Sequence, residues 1–219
     1  LVGNFLVVPL IANEQKQARL IDEALMRGST VGLFLQTDQT KEDPGRQDIY
    51  EVGTSGNILK MLRFPDGTIR FLVQGLTRVR IRRFLADQPY ITAEVEDIVE
   101  TSRESVKMEA LQRNLLEQLK AVIALAPNLS EELYVSAINQ ETPSKLADLI
   151  ASNLNISLKD KQEILEEADV YRRMEHLLAI INKEIEVLEL SKKIQNEAQS
   201  ELGKIQREFI LREQLKAIK

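Results

Sequence analysis

The side chains that could do chemistry in this chain are few, and their spacing does not bring them together. The 219 residues hold one histidine and no cysteine. His176 lies beside Leu177 and Leu178 in a run of helix formers. Without a second imidazole or a thiolate, a metal site would need carboxylates alone. Glu131-Glu132 and Glu166-Glu167 look like paired acids, but neighbours on a helix do not face each other. Ser191-Lys192 has the residue types of a serine–lysine pair, yet adjacent helical positions orient the amine badly for taking the hydroxyl proton. Gly53-Thr54-Ser55-Gly56 is glycine-rich, but no Lys-Ser or Lys-Thr follows and no helix opens behind it, so it does not read as a phosphate cradle. No catalytic, cofactor-binding or metal-binding residue is predicted. The remaining candidates are binding surfaces.

Two such surfaces suggest themselves. Lys60, Arg63, Arg70, Arg78, Arg80, Arg82 and Arg83 share one stretch with a single acid, Asp66. Strand alternation puts Val79 and Ile81 on one face and Arg78, Arg80 and Arg82 on the other. That basic face is either solvated or paired between domains, or a contact for acidic protein segments or nucleic acid. It lacks the aromatic interleaving of a base-stacking platform, since Phe64, Phe71 and Phe84 fit core positions equally well. Met61, Leu62 and Phe64 form the second candidate, a contact for exposed apolar segments of protein clients. The alternative is that all three are core.

The elements that must position these residues differ in texture along the chain. Nearly all the glycines fall in the first hundred residues. Residues 5–11 (FLVVPLI) read as a buried strand in which Pro9 suggests an edge or bulge. Asn13 is placed to cap a helix over 14–26, followed by a strand at 31–35 and a polar loop at 37–48. Extended runs at 49–52 and 57–64 are interrupted by Gly53 and Gly56, which suggest a bend or bulge. Asp66-Gly67 marks a hairpin, whose return strand, 69–74, breaks at Gly75, resumes at 77–81, and is followed by a last strand near 91–99. From Ser102 the pattern is helical. Helices are expected to about Leu125, after Ser130, after Thr142-Pro143, after Ser157 and after Asp169. The last runs through strong helix formers with one glycine, Gly203. Its first apolar seam is Met174, Leu178, Ile181, Ile185 and Leu188. The seam weakens over 191–196, and a second comprises Ala198, Leu202, Ile205 and Phe209.

The expected fold class is therefore α+β. A small, strongly bent β-sheet or pseudo-barrel domain with one helix spans 1–101. An all-α subdomain spans 102–168, and a long helix or coiled-coil arm spans 169–219. The hydrophobic fraction of 43% supports real cores, and the net charge of −5 argues against a dedicated nucleic-acid binder. No apolar run reaches the ~18 residues of a membrane span. The missing initial Met and the absence of a helix terminator before Lys219 are what a piece of a longer protein would show.

One stretch resembles a known family. Phe64-Pro65-Asp66-Gly67-Thr68-Ile69-Arg70, followed by Leu72-Val73-Gln74-Gly75-Leu76-Thr77-Arg78, is similar to the substrate-recognition region at the start of Lon proteases. Gln74 stands where that family usually has Glu. Asp43-Pro44-Gly45, the run from Tyr50 to Thr54, the run from Leu146 to Ala151, the run from Lys159 to Glu166 and the run from Gln206 to Ile218 resemble it as well. The usual Gly-Arg after Pro-Leu is absent. The resemblance implies a parent ATP-dependent serine protease whose AAA+ and Ser–Lys modules lie beyond Lys219. ATP and Mg would act there, with none in this fragment and no catalytic residue carried over. It also implies unfolded or damaged proteins as partners, self-association as in a homohexamer, and a bacterial cytoplasmic location in preference to the mitochondrial matrix. A DNA contact through Arg78, Arg80 and Arg82, and a mainly structural role in assembly, stand as alternative expectations.

Overall fold

The hairpin signal at Asp66-Gly67 is the turn from which the sheet is built. Gly67 adopts φ +85, a left-handed conformation that favours glycine. The backbone N–H and hydroxyl of Thr68 both donate to Asp66 Oδ1, at 2.9 and 2.7 Å. The hydroxyl bond, with the backbone bond behind it, holds the Asp66 carboxyl below its usual range. The computed structural model describes residues 6–12 and 15–218, with side chains through 204 and those of 206, 207 and 210. Asn13, the expected helix cap, lies outside them.

The elements of the first part are β1 (Val7–Ala12), α1 (Gln15–Met26), β2 (Thr30–Leu33), β3 (Val52–Arg63), β4 (Ile69–Ala86) and β5 (Thr92–Asp97). They form an open antiparallel sheet of order β1-β4-β3-β2, with β5 paired to the far half of β4. The sequence suggested more and shorter strands, but the sheet has five. β3 runs through Gly53 and Gly56, and β4 runs through Gly75. Gly53 and Gly56 mark close approach within a bent strand. A Cβ at Gly53 would collide with the Leu33 carbonyl oxygen and the Phe34 ring, and one at Gly56 with Val73. The register shifts between Thr54 and Gly56, so a bulge provides the bend.

Pro9 occupies an edge strand, as its chemistry requires. The Gly75 N–H donates to the Leu6 carbonyl at 2.9 Å. Antiparallel alternation then makes Val8 and Leu10 the hydrogen-bonded partners of β4 and turns the nitrogen of Pro9 to the open edge. One sheet face packs on α1 through Ala12, Ile21, Ile58, Ile69 and Val73.

The second part comprises α2 (Val106–Leu125), α3 (Glu131–Ile138), α4 (Pro143–Asn153), α5 (Leu158–Glu166) and α6 (Val170–Ile218). Ser105 caps α2, Thr142 caps α4 and Ser157 caps α5, each side chain accepting a backbone N–H. Ser130 stands at the cap of α3 without a side-chain bond to it. Asp169 Oδ1 accepts from the N–H groups of Tyr171 and Arg172 at 2.9 and 3.1 Å, and so caps α6. Leu115 and Leu119 of α2, Ile150 of α4, Ile164 of α5 and Met174, Leu177 and Ile181 of α6 are fully buried together. Leu178, Ile185 and Leu188 pack at the margin of this core. From 189 to 202 every side chain is exposed, including Ala198 and Leu202. The side chains of Ile205 and Phe209 lie outside those described. Beyond Leu188 the helix extends about 45 Å, at about 1.5 Å per residue.

Charged and polar groups join the two parts. Arg78 of β4 is 1% exposed. Its Nε donates to the Leu165 carbonyl at 3.1 Å, and its terminal nitrogens bond Glu100 and Asp148. Arg173 in the first turns of α6 donates to Glu100 Oε1 at 2.9 Å, to Ser144 Oγ at 3.1 Å and to the Glu167 carbonyl at 2.9 and 2.6 Å. Beside this cluster, Gln162 Nε2 donates to the Val52 carbonyl at 2.9 Å. Thr101 pairs with the start of α6, its N–H donating to Ala168 and its carbonyl accepting from Val170.

Burial opposes ionisation of Glu100, but a Ser144 hydrogen bond and the charges of Arg78 and Arg173 hold its carboxyl below the ordinary value. A depressed carboxylate stabilises the fold fully above its unfolded pKa, about 4.3 for glutamate, and loses that effect as pH falls through the folded value. Glu100→Gln should therefore lower the urea midpoint at neutral pH. The gap from the parent should narrow below about pH 4 and close at more acidic pH. Arg78→Met leaves a buried carboxylate short of its partner and should cost about 3 kcal/mol or more. Arg80→Ala, at an exposed position, should change stability by less than about 0.5 kcal/mol. Equilibrium unfolding of both variants measures the contrast.

Candidate functional site

The helix α1 packs on one face of the sheet, and at the hairpin end of β3 and β4 the opposite face is bare. The register builds the bare end row by row. Ile11 of β1, Arg70 of β4 and Leu62 of β3 lie side by side. Pro9, Leu72 and Lys60 form the next row, and Val7 and Gln74 the one after. Leu59, the extra residue of a bulge between Ile58 and Lys60, is also exposed. Ile11 is 60% and Leu62 55% exposed, and Val7 and Leu72 are exposed as well. Phe64, 37% exposed, closes the surface at the hairpin, where the Arg70 guanidinium lies 4.6 Å from its ring centroid.

The three apolar candidates therefore separate. Leu62 and Phe64 belong to the bare face. Met61 points to the other side, half-buried against the core under α1, because successive strand residues alternate between faces. Val7, Pro9, Ile11 and Leu72 join the surface although the sequence reading did not single them out. Alternation in 7–12 was a usable signal, but only the pairing register shows that β1 lies beside β4 and extends the same patch.

The basic candidates separate too. Arg78 is removed from any solvent-facing contact, since Asp148, Glu100 and the Leu165 carbonyl enclose it. Arg80 is exposed. Arg82 is the extra residue of a bulge between Ile81 and Arg83, and it pairs with Glu96 at 3.0 Å. The three do not form one open cationic stripe. Helix docking covers the first, and a bulge redirects the third.

On the α1 side, a groove of about 940 Å³ lies between α1, the loop before β3 and the β4–β5 connection, with Val79 and Ile81 among its lining residues. Three polar bridges tie its walls. Lys16 pairs with Asp43 at 3.0 Å, the Tyr90 hydroxyl donates to Glu23 at 2.6 Å, and Arg46 pairs with Asp87. The groove is thus cross-braced, whereas the sheet face is open. Among the described residues, no cluster of His, Asp or Glu could hold a metal ion, and no helix is long and apolar enough to cross a membrane. His176 lies 3.6 Å from a single carboxylate, Glu163.

Comparison with known proteins gives this geometry a family. Residues 6–183 match the model of the ATP-dependent protease La (LON) substrate-binding domain. The chain is 43% identical to a Lon protease of Dictyoglomus thermophilum over 97% of its own length and 27% of the relative's. It is 37% identical to Lon protease 1 of Bacillus subtilis over 100% of its length and 28% of the relative's. The chain thus spans about a quarter of the length of these relatives. The fold resembles the N-terminal domain of a Mycobacterium avium complex Lon protease, with a TM-score of 0.64 at 23% identity, covering 83% of this chain and 92% of that one. A Lon N-terminal domain protein of Xanthomonas campestris aligns at a TM-score of 0.53 and 19% identity, over 81% and 91% of the two chains. With most of its length matched and the same mixed α+β architecture, the chain belongs to the Lon protease substrate-binding domain family.

Proposed function

We propose that this chain recruits protein clients to an ATP-dependent serine protease by binding their exposed apolar segments on the bare end of its sheet. The observation that carries the reading is the contiguous set of exposed apolar side chains formed by Val7, Pro9, Ile11, Leu62, Phe64 and Leu72. Isolated exposed apolar residues are ordinary, but a contiguous cluster is a mark of an interaction surface. Unfolded or damaged proteins would supply such segments, because folded ones bury them. The family match supports the same reading. Proteolysis would occur in modules elsewhere in the longer protein, in the bacterial cytoplasm. ATP and Mg would be used there too.

A second role, in assembly, is favoured by α6. Val187, Leu190, Ile194 and Leu202 are each at least half exposed on its outer part. Their spacing of three, four and eight is that of a helical seam awaiting a partner helix. A second copy of the chain within a homohexamer would supply it.

The two roles are separable by substitution. Leu62→Ser combined with Leu72→Ser should weaken binding of a fluorescently labelled, permanently unfolded protein to the 219-residue chain by about tenfold, from loss of roughly 1.4 kcal/mol of apolar contact. The unfolding midpoint should stay near the parent's. Undiminished binding would sink the client-face reading. Ala198→Pro in the intact protein should break the α6 arm and reduce the hexamer fraction seen by mass photometry or sedimentation, while this sheet stays folded. Unchanged hexamers and unchanged degradation would end the assembly reading.

A further inference from the structure

The bare sheet face carries a charge pattern opposite to that of the chain as a whole. The protein has 34 acidic residues against 29 Lys and Arg. Yet residues 7–12, 57–63 and 69–76 contain no Asp or Glu at all. Within them, Lys60 and Arg70 stand on the bare face between apolar neighbours, Lys60 beside Leu72 and Arg70 between Ile11 and Leu62. Both are exposed. Lys60 has no ion pair among the described residues. Arg70 lies over the Phe64 ring and feels Asp66 at the hairpin tip. The carboxyl of Asp66 is itself engaged by the N–H and hydroxyl of Thr68. Arg63 does not add to the face, because it turns to α1 and pairs with Asp22.

We infer that this face selects among unfolded segments by charge, taking apolar segments that carry carboxylates and disfavouring those that carry lysine or arginine. This deepens the client-binding reading and rests on it. The physical argument is one of placement. A cation at the rim of an interface is solvated whether or not a client is bound, and it contributes little. Lys60 and Arg70 stand inside the apolar patch, where an extended client would remove water around them. A desolvated cation facing a carboxylate is attracted more strongly than in water, and one facing another cation meets repulsion and an unrelieved desolvation cost. The spacing suits an extended chain. The Lys60–Leu72 and Leu62–Arg70 rows are two residues apart along each strand, about 7 Å, so alternate client residues would meet alternate rows. The occupant is therefore a peptide with apolar side chains and interspersed Asp or Glu.

The test uses the 219-residue chain and three unstructured, labelled peptides. Two share the same leucine and phenylalanine positions and differ only in having glutamate or lysine between them. The third has the glutamates and no large apolar residue. Fluorescence anisotropy at low salt should show the glutamate-apolar peptide binding about tenfold tighter than the lysine one, with the difference shrinking as salt is raised. The Lys60→Glu, Arg70→Glu double variant should reverse the order, and Leu62→Ser, Leu72→Ser should weaken both apolar peptides. Circular dichroism melts of each variant confirm that it is folded. Equal binding of the two apolar peptides, both sensitive to the leucine substitutions, would overturn the charge selection and leave client binding standing. Absence of binding by either peptide would remove both readings. Equally tight binding of the third peptide would show a general anion surface and overturn the inference.

Discussion

Two arginines and two carboxylates between sheet and helices, all buried except the partly exposed Glu100, hold the structure together as one object. Arg78 comes from β4, Glu100 from the segment after β5, Asp148 from α4 and Arg173 from α6. The apolar core under α1 and the apolar core of the helices are separate clusters, so the junction between them is made largely of polar contacts. Burying four charges has a large desolvation cost, and mutual attraction offsets it only when nearly every donor and acceptor is matched. Here the carbonyls of Leu165 and Glu167 and the Ser144 hydroxyl take up the remaining donors. Well-packed apolar side chains could stabilise such a junction equally well. What directional bonds add is a single orientation, because a sliding displacement that an apolar contact would tolerate breaks several of them at once. Gln162 belongs to the same junction. Its amide nitrogen is satisfied by Val52 and Glu166, while its buried Oε1 has no partner among the described residues.

Local chemistry explains which parts of this arrangement could be foreseen. The Asp-Gly turn, the proline at the start of α4, the caps at Thr142, Ser157 and Asp169, and the exposed stretch of α6 all depend on residues close in sequence, and all were legible. The bend or bulge suggested by Gly53 and Gly56 is present, but the strands continue through them and through Gly75, because a glycine that ends a strand and one that bends it look the same until the neighbouring strand is placed. Of the readings left open for Arg78, pairing with the helical part is the one realised. Alternation correctly put it opposite Val79, but whether that face meets water or a helix is decided by residues seventy or more positions away, such as Asp148. Met61 and Leu62 show the converse. Alternation already required them to face opposite ways, so they could not both be contacts on one surface.

The bare face is weak by design of its geometry. Fully burying an aliphatic side chain contributes about 1.5–3 kcal/mol, and those on this face are already part covered. Half a dozen of them yield a gross gain on the order of 5 kcal/mol, from which the ordering of an unfolded segment must be subtracted. A single face would therefore hold a segment loosely and release it quickly, which suits the proposed recruitment of many different clients. Discrimination then has to come from something other than depth of burial, and charges set among the apolar rows are the available means. In the proposed hexamer, several such faces would act on one long unfolded chain and raise the effective affinity without any tighter contact.

The path from that face to the arm is short and made of stiff parts. Leu72 and Arg78 lie on one strand, six residues apart, about 20 Å. Arg78 and Arg173 share Glu100, and Arg173 is one turn inside α6. A strain applied to a client on the sheet would run along β4 to the charge cluster, and from there into the base of the helix. A flexible linker would dissipate it. A cluster of directional, desolvated bonds yields little to a small displacement, so the junction is stiff. The segment before the cluster is pinned in the same place, through the pairing of Thr101 with the residues on either side of Asp169. Cap, ion cluster and backbone pairing thus converge on the first turn of α6, and the direction in which the arm leaves the body is fixed by the same contacts that orient the client face.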